Sequence, residues 1–515
     1  MSAPSAFPGM AAILDWLRQV APGAALASDS RRVAAGGVFL AFPGAATDGR
    51  RHVADAIARG ARAVLYEDGD GFTWDPAWTA AHFPVSGLKM LAGPIAAGWH
   101  GQPDAGMFTI AVTGTNGKTS CSQWLGWALS RQGIPTAVVG TLGNGLYRDG
   151  MQEGQEATGF TTPDAVGLQA ALAGMRAAGA RALAIEASSI GLHQGRMHGM
   201  HVDLALFTNF TRDHLDYHGD MTAYEAAKTM LFDWPGLAHA VINLDDGMGQ
   251  RLVRRLREQA PGVAVIGYTL EGRDAPGIPV LRASDIRSSH AGTTFQVASE
   301  FGSAVVKTRL IGHFNVSNAL GIAGALLARG TSWRDTLDLV EALQPVPGRM
   351  QQQGGQDAPL VVIDYAHTPD ALEKALASLR PVARQRQGRL WCVFGCGGDR
   401  DPGKRPQMAA AAAAGADRVI VTSDNPRNEN AADIIEQISK GFTIQNAMPT
   451  PHQVIEDRAA AILWAIKHAA RNDVILLAGK GHENYQEIRG RKLPFLDADH
   501  AALALAARAT MKGGL

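Results

Sequence analysis

A glycine-rich segment that ends in a lysine and a threonine is the first feature of the chain able to support chemistry: Val112-Thr113-Gly114-Thr115-Asn116-Gly117-Lys118-Thr119. It falls between a predicted strand and a predicted helix, where glycines let backbone N–H groups approach phosphate oxygens and the helix N-terminus adds partial positive charge. In such a loop, Lys118 would reach the outer phosphates and Thr119 would hold Mg²⁺.

The alternative for this segment is an ordinary glycine-rich turn, because Val112 replaces the first glycine of the general phosphate-loop pattern. The strand, the turn and the helix nevertheless follow one another in the required order, which favours nucleotide binding. The predicted nucleotide contacts are Gly114, Thr115, Asn116, Gly117, Lys118, Thr119 and Ser120.

Three further polar side chains lie on or just after predicted strands and helices. Glu186 follows the strand Ala182–Ile185, and ligands of open α/β sheets sit at the carboxyl ends of strands, so Glu186 is a candidate Mg²⁺ ligand. The alternative is a carboxylate that caps a turn. His214 lies in a polar segment past the next strand, which favours a site role over a packed histidine. Lys228 lies on a predicted helix and, taken alone, is an ordinary solvated lysine.

The elements that must position these residues alternate between strand and helix. The predicted strands are Val38–Phe42, Ala63–Tyr66, Phe108–Thr113, Ala182–Ile185, Leu204–Phe207, Ala240–Asn243, Leu360–Asp364, Leu390–Phe394, Arg418–Thr422 and Val474–Ala478. Glycine and proline interrupt the pattern at 99–104 and 344–348. We therefore predict an α/β fold with three domains: residues 1–103, a central phosphate-loop domain with a parallel sheet at 104–343, and a Rossmann-like domain at 344–515.

Composition limits the class of protein further. The 515 residues carry 48 Lys plus Arg and 48 Asp plus Glu, and without a basic excess nothing supports nucleic-acid binding. Three sparse cysteines, Cys121, Cys392 and Cys396, argue against a disulfide framework and indicate a reducing compartment. The sequence has no signal-peptide pattern and no run of about 18 apolar residues, so we expect a cytoplasmic protein without membrane insertion.

Motifs from Gly114 to His367 occur in the order found in one enzyme family. Thr113–Thr119 resembles the shortened phosphate loop of the Mur ligases and of their folylpolyglutamate synthase relatives. Further matches are Tyr224-Glu225-Ala226-Ala227-Lys228, Gly312-His313-Phe314-Asn315-Val316-Ser317-Asn318-Ala319, Val346-Pro347-Gly348-Arg349-Met350 and Asp364-Tyr365-Ala366-His367-Thr368-Pro369.

The resemblance assigns roles to several of these residues. It implies that Thr119, Glu186 and His214 bind Mg²⁺, and that Lys228 carries CO₂ as a carbamate and so becomes another oxygen ligand of the metal. It also implies that Asn315 and His367 lie at the nucleotide and that Arg349 neutralises charge at the γ-phosphate. The catalytic residues implied in this way are Lys118, Lys228, His214 and Arg349.

Two regions resemble the family's sites for a UDP-muramoyl dipeptide. In Ser188–Arg196, the residues Ser188, Gln194 and Arg196 have matching offsets, and Thr161 and Thr162 add further expected contacts. Near the N-terminus, Ser28, Ser30 and the loop at residues 44–49 resemble a uridine-nucleotide pocket, although such short motifs could equally be turns or helix caps. The first domain is therefore expected to bind the uridine nucleotide.

Three loops of the last domain follow predicted strands and are expected at one sheet edge: Gly397-Gly398-Asp399-Arg400, Asp424-Asn425-Pro426-Arg427 and Gly479-Lys480-Gly481-His482-Glu483. Two arginines and a carboxylate suit an amino acid with an additional carboxylate and ammonium, since an arginine fork binds a carboxylate through paired hydrogen bonds. The second loop resembles the family's signature for meso-diaminopimelate. The expected contacts are Arg400, Asp424, Asn425, Pro426, Arg427, Gly479 and Glu483.

Together these resemblances imply a monomeric, ATP- and Mg²⁺-dependent amide ligase of peptidoglycan precursor synthesis. It would add meso-diaminopimelate to UDP-N-acetylmuramoyl-L-alanyl-D-glutamate through an acyl phosphate. The alternatives are a lysine-adding Mur ligase, a folylpolyglutamate synthase-like ligase, a kinase and an ATP-binding scaffold without catalysis. The motifs Ser188–Arg196 and Asp424–Arg427 favour the first reading. The competent residues at the catalytic positions argue against a scaffold, and the lack of a kinase motif argues against a kinase.

Overall fold

The structure is a computed structural model that describes residues 9–44, 47–156, 158–443 and 451–512. Two positions of the predicted uridine loop, Ala45 and Ala46, lie outside these ranges, so the expectation for that loop stays a prediction. Within the described residues, strands form three sheets and a separate hairpin, and helices pack against the sheets. The predicted α/β class is therefore confirmed.

The N-terminal unit is built on a sheet with the strand order β1-β2-β3-β4, in which all neighbours are parallel. Its apolar face packs against α1 and α3, and Asp29 and Asp48 start two 3₁₀ turns by accepting a hydrogen bond from the backbone N–H two residues on. The elements are α1 (Met10–Val20), β1 (Leu26–Ala27), a 3₁₀ turn (Ser30–Arg32), β2 (Val38–Ala41), a 3₁₀ turn (Gly49–His52), α2 (Val53–Ala58), β3 (Ala63–Glu67), β4 (Ala81–Val85) and α3 (Leu88–Trp99).

The central unit contains a larger sheet with the order β15-β14-β13-β12-β11-β10-β5-β9-β6-β7-β8. Its elements are β5 (Phe108–Thr113), α4 (Lys118–Arg131), β6 (Thr136–Gly140), β7 (Gly143–Arg148), β8 (Met151–Glu156), α5 (Ala165–Ala177), β9 (Ala182–Glu186), α6 (Ser189–His193), β10 (Leu204–Phe207), α7 (Leu215–His218), α8 (Met221–Thr229), β11 (His239–Asn243), α9 (Gly247–Gln259), β12 (Ala264–Thr269), β13 (Val280–Ser289), β14 (Gly292–Ser299), β15 (Gly302–Thr308), α10 (His313–Ala328) and α11 (Trp333–Glu341).

The central sheet is mixed, whereas the sequence predicted a parallel one. The run from β13 to β6 is parallel, but β14 and β15 at one edge and β7 and β8 at the other pair antiparallel with their neighbours. The physical reason lies in the connections. Only His290 and Ala291 join β13 to β14, and only Glu300 and Phe301 join β14 to β15. Such turns can join only antiparallel strands, because parallel neighbours need a crossover of a dozen or more residues.

The C-terminal unit has the sheet order β16-β17-β21-β18-β19-β20, parallel except for β16, and β22 and β23 form a hairpin. Its elements are β16 (Gln351–Gly354), β17 (Leu360–Asp364), α12 (Pro369–Gln385), β18 (Leu390–Phe394), α13 (Lys404–Gly415), β19 (Arg418–Val421), α14 (Ala431–Ser439), a 3₁₀ turn (Lys440–Thr443), β20 (His452–Val454), α15 (Arg458–His468), β21 (Val474–Ala478), β22 (Tyr485–Ile488), β23 (Arg491–Pro494) and α16 (Asp497–Lys512).

A fully buried ion pair fixes the end of β21. Arg458 and Asp497 lie 2.7 Å apart at the starts of α15 and α16, and Arg458 also donates to the carbonyl of Ala478 at 2.9 Å. An unpaired charge at this depth would be strongly destabilising, so the pair ties both helices to the strand that leads into the loop at 479–483.

Contacts between the units are close in two places. Gly93 of α3 packs backbone to backbone against His198 and Gly199 of the central unit, and a Cβ at either glycine would overlap the opposite main chain. On the other side, the Trp124 indole donates to the carbonyl of Gln344 at 2.8 Å, at the start of the chain's passage into the C-terminal unit.

The strand order places the candidate chemistry at one edge. Strands β9, β5 and β10 are parallel neighbours, so their carboxyl ends bring Glu186, the phosphate loop and the segment from Thr208 together. No helix within the described ranges is both long enough and apolar enough to cross a membrane.

Candidate active site

The predicted phosphate loop joins β5 to α4, and two of its glycines are required by their surroundings. Gly114 has φ +148° and its Cα faces the Thr208 hydroxyl so closely that a Cβ would overlap it. Gly117 has φ +90° and lies under the side-chain amide of Asn318, 2.7 Å from where a Cβ would be. Only glycine combines these backbone angles with such close neighbours.

The segment after β10 holds this loop in place. Asn209 accepts from the N–H of Asn116 at 2.9 Å through its side chain and from the N–H of Thr115 at 2.8 Å through its backbone carbonyl. The Thr208 hydroxyl and the Asn209 amide both donate to the Asn116 carbonyl, at 2.6 and 3.0 Å. The loop is therefore shaped before any ligand arrives.

Two lysines converge on one oxygen of the loop. The Lys118 Nζ donates to the Gly114 carbonyl at 2.7 Å and to the Thr115 carbonyl at 2.8 Å. The Lys228 Nζ, from α8, donates to the same Gly114 oxygen at 2.9 Å, and this side chain is only 1% exposed. Burial and the neighbouring Lys118 hold the pKa of Lys228 well below its ordinary value. Lys228 is therefore a buried amine and not the solvated lysine that its sequence alone suggested.

Glu186 lies fully buried at the end of β9 and accepts from three groups. The Thr119 hydroxyl donates to it at 3.0 Å, and Thr141 donates through its N–H at 2.8 Å and through its hydroxyl at 3.1 Å. Burial raises the pKa of Glu186, and the nearby Lys118 opposes that rise. Arg349, from the C-terminal unit, donates to the Thr119 hydroxyl at 3.1 Å, so it reaches the start of α4.

His214 precedes α7 in a left-handed backbone conformation, φ +52°, next to the carboxylate of Asp213. Its Nε2 lies 3.6 Å from an Asp213 oxygen, and burial lowers the pKa of His214. Burial alone would raise the pKa of Asp213, but His214, His367 and Lys118 lower it below its usual range. Asp213 is thus a carboxylate among cationic groups, close to both lysines.

The described residues contain no group of three or more His, Cys, Asp or Glu side chains arranged to hold a metal ion. The oxygens of Thr119 and Glu186 at the phosphate loop are nevertheless the kind of ligand that Mg²⁺ prefers. A set that also includes His214 and Lys228 fits Mg²⁺ only if Lys228 supplies an oxygen, because an ammonium group has no lone pair to donate.

The two predicted nucleotide residues outside the loop, His367 and Asn315, have different surroundings. His367 follows β17, and its Nδ1 lies 2.8 Å from the Tyr365 carbonyl; burial lowers the pKa of its imidazole. Asn315 is buried at the start of α10 and donates to the Ile311 carbonyl at 2.9 Å, within its own chain segment. Asn318, one turn later, is the residue whose amide covers Gly117 of the phosphate loop.

The predicted residues of the dipeptide arm form a continuous hydrogen-bond chain. The Thr162 hydroxyl donates to the Glu186 carbonyl at 2.7 Å and lies 2.9 Å from the Ser188 hydroxyl. Arg196 donates to the Thr162 carbonyl at 2.8 Å and to Gln194 at 2.7 Å. Thr161 lies 3.1 Å from Thr141, which places it beside Glu186.

Of the N-terminal candidates, one reaches this region. The Ser28 hydroxyl donates to Asp164 at 2.8 Å, and Asp164 follows Thr162 by two residues in the chain. Ser30, in contrast, is buried at the start of a 3₁₀ turn. The structure thus brings Ser28 to the dipeptide arm from the neighbouring unit.

The three C-terminal loops lie at one sheet edge, as predicted. Arg427 has φ +51°, and its guanidinium donates to the Gly398 carbonyl at 2.7 Å and lies 3.5 Å from Glu487. Asn425 donates to Glu483 at 2.8 Å, which links the second loop to the third. Asp424 lies against Gly479, whereas Arg400 is exposed and donates to the carbonyl of Asp399.

Sequence reasoning did not single out Asn209, Asp213 or Tyr217, and within the predicted nucleotide motif at residues 312–319 it selected Asn315 and not Asn318. Asn209 follows β10 directly, so the strand-end rule that selected Glu186 could have selected it too. Asn318 is three residues after Asn315 and therefore on the same helix face. Tyr217 accepts from Gln194 at 3.1 Å and lies 2.9 Å from His193, contacts that no local pattern announces.

Three α/β units around a phosphate loop with a buried carboxylate define a nucleotide-binding protein of the phosphate-loop class. Family models match each unit: residues 24–98 match "Mur ligase family, catalytic domain", 112–326 match "Mur ligase middle domain" and 348–481 match "Mur ligase, glutamate ligase domain". The chain belongs to the Mur ligase family, which confirms both the resemblance and the three-domain architecture.

Individual relatives agree with this assignment. A UDP-N-acetylmuramoyl-L-alanyl-D-glutamate–2,6-diaminopimelate ligase from Janthinobacterium sp. (strain Marseille) is 64% identical over 97% of this chain and 97% of its own. A solved structure with the same name is 37% identical, covers 96% of this chain and 99% of its own, and has a TM-score of 0.66. The MurF ligase of Thermotoga maritima in complex with ADP shares the fold at 16% identity, with a TM-score of 0.61 over 95% and 98%.

We predict that Asn318→Ala weakens ADP binding more than Asn315→Ala does. The Asn318 amide covers the phosphate loop, whereas the Asn315 amide is engaged with its own backbone. If the Asn318 amide donates one hydrogen bond to the bound nucleotide, its loss should reduce the affinity by about 2- to 10-fold. Titration calorimetry with ADP and Mg²⁺ measures this, and the two variants serve as a matched pair on one helix. Equal affinities in two folded variants would contradict the prediction.

Proposed function

We propose that the chain joins meso-diaminopimelate to UDP-N-acetylmuramoyl-L-alanyl-D-glutamate with conversion of ATP to ADP and phosphate, in peptidoglycan precursor synthesis. The observation that best supports this function is the position of Gly348 and Arg349. Arg349 reaches Thr119 of the phosphate loop, while Gly348 packs directly on the backbone of Gly481 and His482 in the third amino-acid loop. A nucleotide at one loop and an amino acid at the other would thus be neighbours.

The reaction has two steps. The D-glutamyl side-chain carboxylate attacks the γ-phosphorus, and the bond from phosphorus to the β,γ-bridging oxygen breaks. ADP departs, and the glutamyl carboxyl group becomes an acyl phosphate. An amine of diaminopimelate then attacks the acyl carbon, loses a proton and expels phosphate to leave an amide. Phosphoryl transfer depends on alignment and charge neutralisation, which Lys118 and Arg349 supply, and no protein nucleophile is needed.

Thr119, Glu186, His214 and a carbamylated Lys228 would hold Mg²⁺. The ion, when bound, neutralises phosphate charge. Glu186 suits this role because its carboxylate is already oriented by Thr119 and Thr141 beside the phosphate loop. Gly114 to Ser120, His367 and Asn315 complete the proposed nucleotide site, with Asn318 as an addition from the structure.

The shared Gly114 carbonyl supports the carbamate. Two ammonium groups within two hydrogen-bond lengths of each other repel, and this repulsion adds to the burial that favours a neutral Lys228. A neutral amine is the form that reacts with CO₂. The resulting carbamate is negatively charged, so it attracts Lys118, which an ammonium group at this position would repel. It also supplies the oxygen that Mg²⁺ requires.

The other proposed contacts follow the units. Residues 1–103 would bind the uridine nucleotide through Ser28 and Ser30, residues 104–343 would bind ATP, and residues 344–515 would bind the amino acid. The dipeptide would lie along the hydrogen-bond chain of Thr161, Thr162, Ser188, Gln194 and Arg196. Diaminopimelate would be held by Arg400, Asp424, Asn425, Pro426, Arg427, Gly479 and Glu483. A monomer in the cytoplasm remains our expectation.

The second candidate is a lysine-adding ligase. It differs from the first only in whether the amino-acid site contains a partner for a distal carboxylate. Arg427 is only half-buried, and its two contacts leave part of its fork of donors available, which favours diaminopimelate.

One assay tests the function. The protein is incubated with ATP, Mg²⁺ and UDP-muramoyl dipeptide plus meso-diaminopimelate or lysine, and separately with a folate plus glutamate, and the products are weighed. We expect a ligated product with meso-diaminopimelate. With ¹⁸O in the glutamyl carboxylate, one label should appear in the released phosphate. Label retained entirely in the peptide would rule out the acyl phosphate.

We predict that Lys228→Ala loses most of the activity because the buried position loses its oxygen ligand. Acetate or formate at high concentration should restore part of it by occupying the vacated space. With ¹³C-bicarbonate, the wild type should show a carbamate carbon signal that the variant lacks. A fully active Lys228→Ala protein, or a wild type without the signal, would refute the carbamate.

We predict that Arg427→Ala lowers kcat/KM for meso-diaminopimelate far more than for lysine. A lost charged hydrogen bond corresponds to roughly 10- to 150-fold, and a site built around a polar group can reject an analogue that lacks it by up to about 10⁴-fold. Arg400→Ala is the control, because an arginine at the common end of both amino acids should affect them equally. An equal loss for both amino acids in Arg427→Ala would remove its role in selectivity.

A further inference from the structure

Lys480 is a completely buried cation in the middle of the third amino-acid loop. Its side chain is 0% exposed, and the glycines on both sides of it are themselves closely packed, against Asp424 and against Gly348 and Tyr365. The Nζ donates to Asn425 Oδ1 at 3.1 Å and to Glu483 Oε2 at 3.1 Å, and it lies 5.7 Å from the centre of the Tyr485 ring. Because it is sealed from solvent, Lys480 is not placed to touch a substrate.

Lys480, Asn425 and Glu483 form a closed triangle in which each side chain bonds to the other two. The third side is the bond from Asn425 Nδ2 to Glu483 Oε2 at 2.8 Å. The Asn425 Oδ1 also accepts from the backbone N–H of Glu487 at 2.9 Å. Since a lysine and a backbone N–H can only donate, they fix which end of the Asn425 amide carries oxygen. The amide nitrogen must then face Glu483.

The hydrogen bonds of this triangle also determine which carboxylate oxygen of Glu483 is available to a ligand. Both donors from Lys480 and Asn425 use Oε2, and among the described residues no hydrogen bond engages Oε1. The Glu483 side chain is 17% exposed, so it is accessible to a ligand, unlike the sealed side chain of Lys480. An ammonium group would approach Oε1, because the Lys480 charge repels a second cation from the Oε2 side.

Burying a charge costs free energy unless it is paired and hydrogen-bonded. A leucine or methionine would fill the same space without that cost, so the fold of the loop gives no reason for a lysine. Its two partners are the residues that, under the proposed function, contact the amino acid.

We propose that Lys480 is a positioning residue that fixes the Asn425 amide and presents Glu483 Oε1 to an ammonium group of the incoming amino acid. This inference rests on the proposed function, since it concerns the site that takes diaminopimelate. Lys480 acts through its partners and does not contact the reacting atoms.

The test is Lys480→Met, which keeps the length of the side chain and removes its charge and donors. We expect the KM for meso-diaminopimelate to rise by roughly 10- to 150-fold, with the KM values for ATP and the UDP-linked substrate within about 2-fold of wild type. Lys480→Gln keeps one donor group and should give a smaller rise. If Lys480→Met fails to fold, Lys480→Gln carries the test alone.

Lys492→Met is the matched control. Lys492 is exposed on the β22–β23 hairpin, with its Nζ 4.2 Å from the Tyr485 ring centre, and it bonds to neither Asn425 nor Glu483 among the described residues, so its loss should leave every KM unchanged. In a Glu483→Gln background, adding Lys480→Met should change the KM for diaminopimelate by less than about 3-fold, since the partner through which it acts is already altered.

The experimental outcomes distinguish a failure of the proposed function from a failure of the positioning role of Lys480. A wild-type protein that makes no diaminopimelate product would overturn the proposed function, and with it the site on which this role depends. An active wild type whose Lys480 variants raise all three KM values equally, or lower only kcat, would overturn the positioning role alone. Additive effects in the Glu483→Gln background would do the same.

Discussion

Two lysine side chains that donate to the same Gly114 carbonyl oxygen create the constraint around which the central site is arranged. If both were charged, at a separation of about 5 Å and an effective dielectric constant of 20, they would repel by roughly 3 kcal/mol, and this repulsion adds to the burial that favours a neutral Lys228. Asp213 offsets part of that repulsion, because its charge opposes the fall that burial causes in the pKa of both lysines. Lys118 in turn opposes the rise that burial causes in the pKa of Glu186. The charge of Lys118 at the loop therefore favours a bound polyphosphate.

The same constraint explains why distant segments must meet here. Glu186 comes from β9, the lysines from α4 and α8, and Arg349 from the unit beyond residue 343. Parallel strands deliver the first two groups because their carboxyl ends coincide. The third arrives only because the C-terminal unit folds back onto the start of α4, where Arg349 bonds to Thr119. A site assembled from separate units is complete only when those units are in contact.

Much of this arrangement could be predicted from the sequence, and the failures have identifiable causes. Short apolar runs in the sequence predicted the boundaries of β5, β9, β10 and β17 to within one residue, because buried parallel strands are continuous apolar segments. At one antiparallel edge, β8 was missed because it is polar and exposed and gives no apolar signal. Lys228 could not be recognised as buried from its helix alone, since its environment comes from a loop over a hundred residues earlier. Asn315 and Asn318 share a helix face, and only the packing against Gly117 distinguishes them.

The backbone contact between Gly93 and Gly199 has a mechanical consequence. Side chains that interlock can exchange rotamers as two surfaces slide, but two main chains pressed together have nothing to rearrange and can only separate. The contact therefore resists sliding of the N-terminal unit over the central unit. A movement of the C-terminal unit would instead turn about the short stretch between Gln344 and Arg349. That stretch contains Pro345, Pro347 and Gly348, so most of the rotation would fall on very few backbone angles, and the hinge would carry an arginine of the active site with it.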